Sequence, residues 1–198
     1  WYYFDGSGIM QTGWKYINSQ WYYMDSSGAM KTGWQFIKGE WYHLGTNGAM
    51  TKGWYKEGSS WYHLNENGVM ARHWRKISNV WYRFNPSGQM QTGWISYNND
   101  TYFGNIDGAI QTGLVQIDNK VYYFREEADS RQGAMETGRI QIGNRTYTFG
   151  EDGAATGSLL PEAEIAYDAN GNEKTPGGVD SGGDTTPSRP SGGGGSWS

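Results

Sequence analysis

The chain has 198 residues, a formal net charge of −4, no cysteine and an aromatic share of 16%. That charge offers no basic footprint for nucleic acid or an anionic membrane. No apolar run approaches the ~18 residues of a membrane span, and the missing cysteines exclude disulfides and thiolate metal sites. With few Leu, Ile and Val, the buried surface has to be built from Tyr, Trp and Phe.

The sequence opens on Trp1-Tyr2-Tyr3-Phe4, which reads as the second half of a repeating unit. A fragment of a longer protein is therefore expected, with room for a catalytic domain elsewhere. Trp14, Trp34, Trp54, Trp74 and Trp94 then stand 20 residues apart, and Trp21, Trp41, Trp61 and Trp81 follow seven residues behind. Trp1 extends the second series backwards, so ten of the eleven tryptophans lie on one double lattice. A fixed period of this length is the signature of a repeat architecture.

One unit reads Gly33-Trp34-Gln35-Phe36-Ile37, then Lys38-Gly39, then Glu40-Trp41-Tyr42-His43-Leu44. Two short aromatic-rich runs around a turn pair predict a β-hairpin. The matching turns are Asn18-Ser19, Gly58-Ser59, Ser78-Asn79, Asp118-Asn119 and Gly143-Asn144. Asp25, Asn65, Asn85 and Asp107 fall in the loops after the hairpins and read as turn formers rather than acids or bases. A lone hairpin is marginal in water, so the fold class expected is an all-β solenoid of stacked β-hairpins over residues 1–157.

Alternation sends Trp21 and Tyr23 to one face of a hairpin and Tyr22 and Met24 to the other. The column Tyr22, Tyr42, Tyr62, Tyr82, Tyr102, Tyr122 and Tyr147 is unbroken and reads as structural packing. Toward the C-terminus Leu114 and Arg139 replace the first tryptophan, and the connection from Phe124 to Gly138 carries five extra residues. Residues 158–190 hold one aromatic, Tyr167, amid Gly, Pro, Ser, Thr and Asp, and are expected to be a linker or disordered tail. Residues 191–198 read as an engineered linker and tag remnant.

Paired tryptophans of one hairpin, met by an aromatic of the next, form a box of ring faces suited to a quaternary ammonium ion. Units such as Thr12-Gly13-Trp14-Lys15-Tyr16-Ile17-Asn18-Ser19-Gln20-Trp21-Tyr22-Tyr23-Met24-Asp25 resemble the choline-binding (cell-wall-binding) repeats of Gram-positive surface proteins and phage lysins. The later units, for instance Gly113-Leu114-Val115-Gln116-Ile117, are more similar to the related glucan-binding and toxin repeats.

The resemblance implies a secreted, non-catalytic module that anchors its bearer at a bacterial cell wall through choline or phosphocholine on teichoic acids. It implies sites made of two tryptophans with an aromatic and a methionine of the next unit. Carried over, the first pocket would use Trp14, Trp21, His43 and Met50, and the second Trp34, Trp41, His63 and Met70. A third would combine Trp54, Trp61, Arg83 and Met90, and a fourth Trp74, Trp81 and Phe103. Trp1 with Tyr23 and Met30 would be a half-site.

The family's tyrosine at the third wall is replaced here by His43, His63 and Arg83. Arginine in a cation cage repels choline, so the Arg83 pocket is expected to be the weakest. Histidine and arginine beside a flat ring could instead hydrogen-bond the hydroxyls of a stacked sugar. A polysaccharide-binding module is therefore the alternative, and a structural spacer or adhesin stalk a further one. Self-association is open to a stacked-repeat end. His43 and His63 stand one hairpin apart with no adjacent carboxylate, which does not make a metal site. The Asp168-Ala169-Asn170-Gly171-Asn172-Glu173 stretch lacks a full calcium-ligand pattern and reads as a turn. Nothing pairs a nucleophile with a base, no cofactor motif is present, and no enzymatic activity is expected of these residues.

Overall fold

The computed structural model describes residues 1–157, 163 and 165–174. Among the described residues seven hairpins follow one another in sequence. They are β1 Gly13–Ile17 with β2 Gln20–Met24, β3 Gly33–Ile37 with β4 Glu40–Leu44, and β5 Gly53–Glu57 with β6 Ser60–Leu64. Next come β7 His73–Ile77 with β8 Val80–Phe84, β9 Gly93–Tyr97 with β10 Asp100–Gly104, β11 Gly113–Ile117 with β12 Lys120–Phe124, and β13 Gly138–Ile142 with β14 Arg145–Phe149. The short strands β15 Ala155–Thr156, β16 Ala166–Tyr167 and β17 Glu173–Lys174 complete the set. The all-β repeat of hairpins read from the sequence is the architecture observed.

Turn chemistry sets each hairpin. Asn18-Ser19, Lys38-Gly39, Ser78-Asn79, Asn98-Asn99 and Asp118-Asn119 hold both residues at positive φ, the type I′ geometry. Gly58 and Gly143 supply the single positive φ that a type II′ turn demands at its first position. Several of the loops after the hairpins are Asx turns, whereas those at Gly45 and Gly150 open on glycine. Asp25 Oδ1 accepts from the amides of Ser27 and Ala29 at 2.9 and 3.1 Å, and Asn65 Oδ1 from those of Asn67 and Val69 at 2.9 and 3.0 Å. Asp168 Oδ1 does the same for Asn170 and Asn172 at 2.9 and 3.0 Å, so that stretch is a turn of the same kind.

The chain forms two compact units. One comprises Trp1–His73 with Phe84–Met90, the other Trp74–Arg83 with the described residues from Gln91 on. In the first unit Met24, Leu44, Leu64 and Phe84, the last residues of successive second strands, form the buried column. Each bridges to a methionine in the following loop, as in Leu44 to Met50 and Leu64 to Met70. That methionine then ties two repeats together through the backbone. The Met50 amide donates to the Trp21 carbonyl at 2.7 Å, and the Met70 amide to the Trp41 carbonyl at 2.9 Å. The second unit repeats the device, with the Ile110 amide on the Trp81 carbonyl and the Met135 amide on the Thr101 carbonyl.

The expected tail at 158–190 needs correcting over its described part. Ala166 and Tyr167 run parallel to Gln116 and Ile117, and β17 pairs back on β16. Tyr167 is 5% exposed and packs with Phe103, Ile117 and Phe124, while its hydroxyl donates to Gln111 Oε1 at 3.1 Å. Two-residue strands carry no periodicity for a sequence pattern to register. The edge of β11 and an aromatic core with space for one more ring hold the segment instead. The expected linker-and-tag stretch at 191–198 lies outside the described residues.

Every hairpin enters its first strand in the left-handed region, at Gly13, Gly33, Gly53, Gly93, Gly113 and Gly138, yet the fourth uses His73 at φ 63°. Left-handed backbone costs a side-chain-bearing residue about 1–2 kcal/mol, partly offset by the extra unfolded-state freedom of glycine. His73→Gly is therefore expected to gain up to about 1 kcal/mol. Gly53→Ala, where an added Cβ meets nothing within 4 Å, should lose about 1–2 kcal/mol to backbone strain alone. Urea unfolding midpoints check both, and a His73→Gly variant less stable than the parent would contradict the assignment of strain.

Candidate ligand-binding site

Each pocket is assembled from the outward face of one hairpin and the opposite face of the next. In the first, the rings of Trp14 and Trp21 stand 6.4 Å apart at 87°. Tyr42 of the next hairpin meets Trp14 at 4.9 Å and 61°, and Met50 closes the floor. These four residues and the rim side chains Lys52 and Glu66 line a cavity of about 360 Å³. Three ring faces wall the cavity and its polar side chains, Lys52, Glu66 and Asn67, stand with them in the lining, an aromatic box that suits a cation without hydrogen-bond donors of its own.

The second repeat sets Tyr62 4.9 Å from Trp34 and hydrogen-bonds the Met70 amide to the Trp41 carbonyl. The Trp34 indole N–H donates to Glu57 at 3.1 Å. In the third, Trp54 and Trp61 stand 6.4 Å apart at 89°, with the Met90 amide on the Trp61 carbonyl at 2.8 Å. The fourth pairs Trp74 and Trp81 at 6.4 Å and 87°, and Tyr102 lies 4.7 Å from Trp74. Its cavity of about 330 Å³ is also lined by Tyr97, Asp129 and Gln132. Trp1, Tyr22 and Met30 share a further cavity at the first repeat.

Trp14, Trp21 and Met50 line one cavity and the Trp54/Trp61 and Trp74/Trp81 ring pairs form, but the third wall does not fall where the sequence reading put it. His43, His63 and Phe103 are the cross-strand partners of Trp34, Trp54 and Trp94 in their own hairpins. They share the face of those tryptophans, whereas the preceding residue points back to the pocket of the hairpin before. Tyr42, Tyr62 and Tyr102 hold that position, and Tyr22 holds it beside Trp1. Arg83 stands with its guanidinium 5.6 Å from the Trp74 ring and 4.7 Å from that of Tyr97. Phe103 is fully buried against Trp94, Phe124 and Tyr167. The unbroken tyrosine column was the signal for the missing wall, and its constancy reads equally well as packing.

His43 is enclosed by the layer after its own. Its ring stacks on Tyr55 at 3.9 Å, lies 5.1 Å from Trp34, and sets Nδ1 2.8 Å from Thr51 Oγ1. Burial pushes its pKa below the ordinary 6.5, partly offset by the Glu57 carboxylate. His63 is lowered the same way, by burial against the opposing pull of Glu66. Both histidines are therefore neutral packing pieces at neutral pH.

Seating of the methionine depends on a glycine. A Cβ added at Gly68, where φ is 78°, would come 2.4 Å from Met50 Sδ, and one at Gly48 would come equally close to Met30 Sδ. Each pocket floor is thus held from below by the loop of the following repeat.

Two choline-binding repeat models match the chain. A "Choline-binding repeat" covers residues 31–73, and a "Putative cell wall binding repeat" covers 1–10, 12–30, 74–90 and 112–127. Together these stretches make up more than half of the chain. No curated protein matches it. Among solved structures, CbpJ from Streptococcus pneumoniae TIGR4 superposes with a TM-score of 0.73 at 31% identity, over 88% of this chain and 61% of its own. Choline binding protein F from Streptococcus pneumoniae, in the presence of a peptidoglycan analogue, gives 0.72 at 30% identity over 88% and 61%. The CbpF complex with ipratropium gives 0.70 at 28% identity over 88% and 62%. The chain spans less than two thirds of the length of each of these structures.

Two outcomes follow from the packing. A histidine whose pKa is lower folded than unfolded binds fewer protons in the native state, so stability rises with pH. The full contribution of His43 and His63 is present above 6.5 and is lost as pH falls through that value toward their depressed folded pKa. Unfolding midpoints should fall from about pH 7.5 to about pH 5, and fall less steeply in a His43→Asn/His63→Asn variant. Gly68→Ala should lose about 2 kcal/mol or more, combining left-handed strain with displacement of Met50, and should alter the fluorescence of the first pocket. The paired tryptophans, the tyrosine wall and the matched repeats agree, and the chain belongs to the choline-binding, cell-wall-binding repeat family.

Proposed function

We propose that the chain is a non-catalytic anchoring module that holds a secreted protein on a choline-bearing bacterial cell wall. The observation that carries this reading is the cavity of Trp14, Trp21, Tyr42 and Met50, a box walled by three ring faces. Each ring contributes about 0.5–2 kcal/mol to holding a quaternary ammonium, depending on desolvation. Two or three rings, less the cost of association, amount to about millimolar binding per cage. Several cages facing a polymer that repeats the ligand multiply this by about 10²–10⁴.

The polysaccharide alternative drew on His43, His63 and Arg83 as hydrogen-bonding walls. His43 is enclosed between Trp34 and Tyr55, and Arg83 lies over Trp74 and Tyr97. With Tyr42 and Tyr62 in the wall position instead, the cages favour the cation. That choline binding protein F was solved in the presence of a tetrasaccharide-pentapeptide peptidoglycan analogue supports a cell-wall setting for this reading.

Tryptophan fluorescence during a choline titration tests the reading. A saturable change with a midpoint of about millimolar is expected, and none up to about 100 mM would overturn it. Trp21 is 39% exposed, so Trp21→Ala should leave the fold intact and weaken its cage about tenfold, equivalent to ~1.4 kcal/mol.

A further inference from the structure

The cages differ at their rims, and the difference is one of charge. In the first cavity Lys52 and Glu66 stand on the rim beside the aromatic box. Both are exposed, and neither takes part in a salt bridge among the described residues. A ligand whose ammonium enters the box therefore finds one ammonium and one carboxylate at the mouth. Lys52 also lines the adjoining cavity along Tyr16 and Trp21, within reach of whatever substituent projects outward from the cage.

The fourth cavity is closed differently. The five extra residues after Phe124 fold into a loop whose Asp129, Ser130 and Gln132 line the pocket of Trp74, Trp81 and Tyr102. Gln132 Oε1 accepts from the Trp81 indole N–H at 3.1 Å. The loop is braced by Arg125 on Asp129 and Glu136 at 3.0 and 3.1 Å, and by Arg131 on Asp100 at 2.8 Å. Arg125 and Arg131 stand against Glu126, Glu127, Asp129 and Glu136, so the loop keeps a net negative charge; Asp129, which shares Arg125 with Glu127 and Glu136, is its carboxylate lining the cavity. Lys76, whose ammonium stands 5.8 Å over the Trp81 ring, is not among the residues lining the cavity.

We propose that the cages sort their ligands by phosphate: the Lys52 rim favours a phosphate-bearing choline at the Trp14/Trp21 cage, and the acidic loop favours a quaternary ammonium without phosphate at the Trp74/Trp81 cage. This rests on the cation-binding reading of the cages. Phosphocholine is a zwitterion, and once its ammonium is boxed its phosphate must lie at the mouth. There it meets Lys52, beside Glu66 and Asn67, in one case and Asp129, with no ammonium lining the cavity, in the other. The charges are solvent-exposed, so each effect has the scale of a surface ion pair and weakens with salt.

Site-resolved NMR titrations with choline and with phosphocholine test the sorting, read at the indole N–H signals of Trp21 and Trp81. The wild-type chain should show a higher phosphocholine-to-choline affinity ratio at Trp21 than at Trp81. Lys52→Gln should lower that ratio at Trp21 by about two- to fivefold, and Asp129→Asn should raise it at Trp81 by about the same factor. Both shifts should shrink in about 0.5 M salt. Equal ratios at the two signals, or variants that move both ligands by one factor, would overturn the sorting and leave the cation cages standing. Silence of both signals toward both ligands would overturn the cages and the sorting together.

Discussion

The site depends on a single backbone hydrogen bond that recurs from repeat to repeat: the methionine amide of one loop on the tryptophan carbonyl of the preceding hairpin. Met50 on Trp21 is the clearest case, at 2.7 Å. That bond fixes how far the next hairpin stands from the last. It also places the methionine side chain under the ring pair of Trp14 and Trp21. Packing between hairpins and formation of the cage are consequently one event. The glycine beneath the methionine completes the coupling, since Gly68 leaves only enough room for Met50 Sδ. A protein built this way cannot acquire a cage without first acquiring a layer.

Much of this was legible in the sequence because its signals are periodic. The tryptophan lattice, the I′ and II′ turn pairs and the Asx loops all repeat with the chain, and each appears where its chemistry puts it. The third wall was not legible, for a reason that lies in the strand itself. Successive side chains point to opposite faces, so an error of one residue exchanges one pocket for the next. His43 and Tyr42 are neighbours in sequence but belong to different layers. The variable residue drew attention as a determinant of binding, while the constant one was the wall.

The strands at Ala166–Tyr167 and Glu173–Lys174 escaped for the opposite reason. They are too short to have a period and sit in Gly- and Asp-rich surroundings. Their order comes from outside, through parallel pairing with Gln116 and Ile117 and from one ring entering a core of Phe103, Tyr122 and Phe124. Local composition therefore underestimates structure wherever a neighbouring sheet edge is open and a single aromatic can reach the core.

The inserted loop shows where such a repeat tolerates change. Between Phe124 and Met135 the chain lengthens, yet the bridge between those residues and the Met135 amide bond to Thr101 are both kept. The stretch between the last residue of a hairpin and its bridging methionine is thus decoupled from the register on either side. Sequence added there emerges at the mouth of a cage without disturbing its walls. A uniform scaffold thereby acquires an address at which each pocket can be modified separately, and duplicated repeats can diverge in specificity one loop at a time.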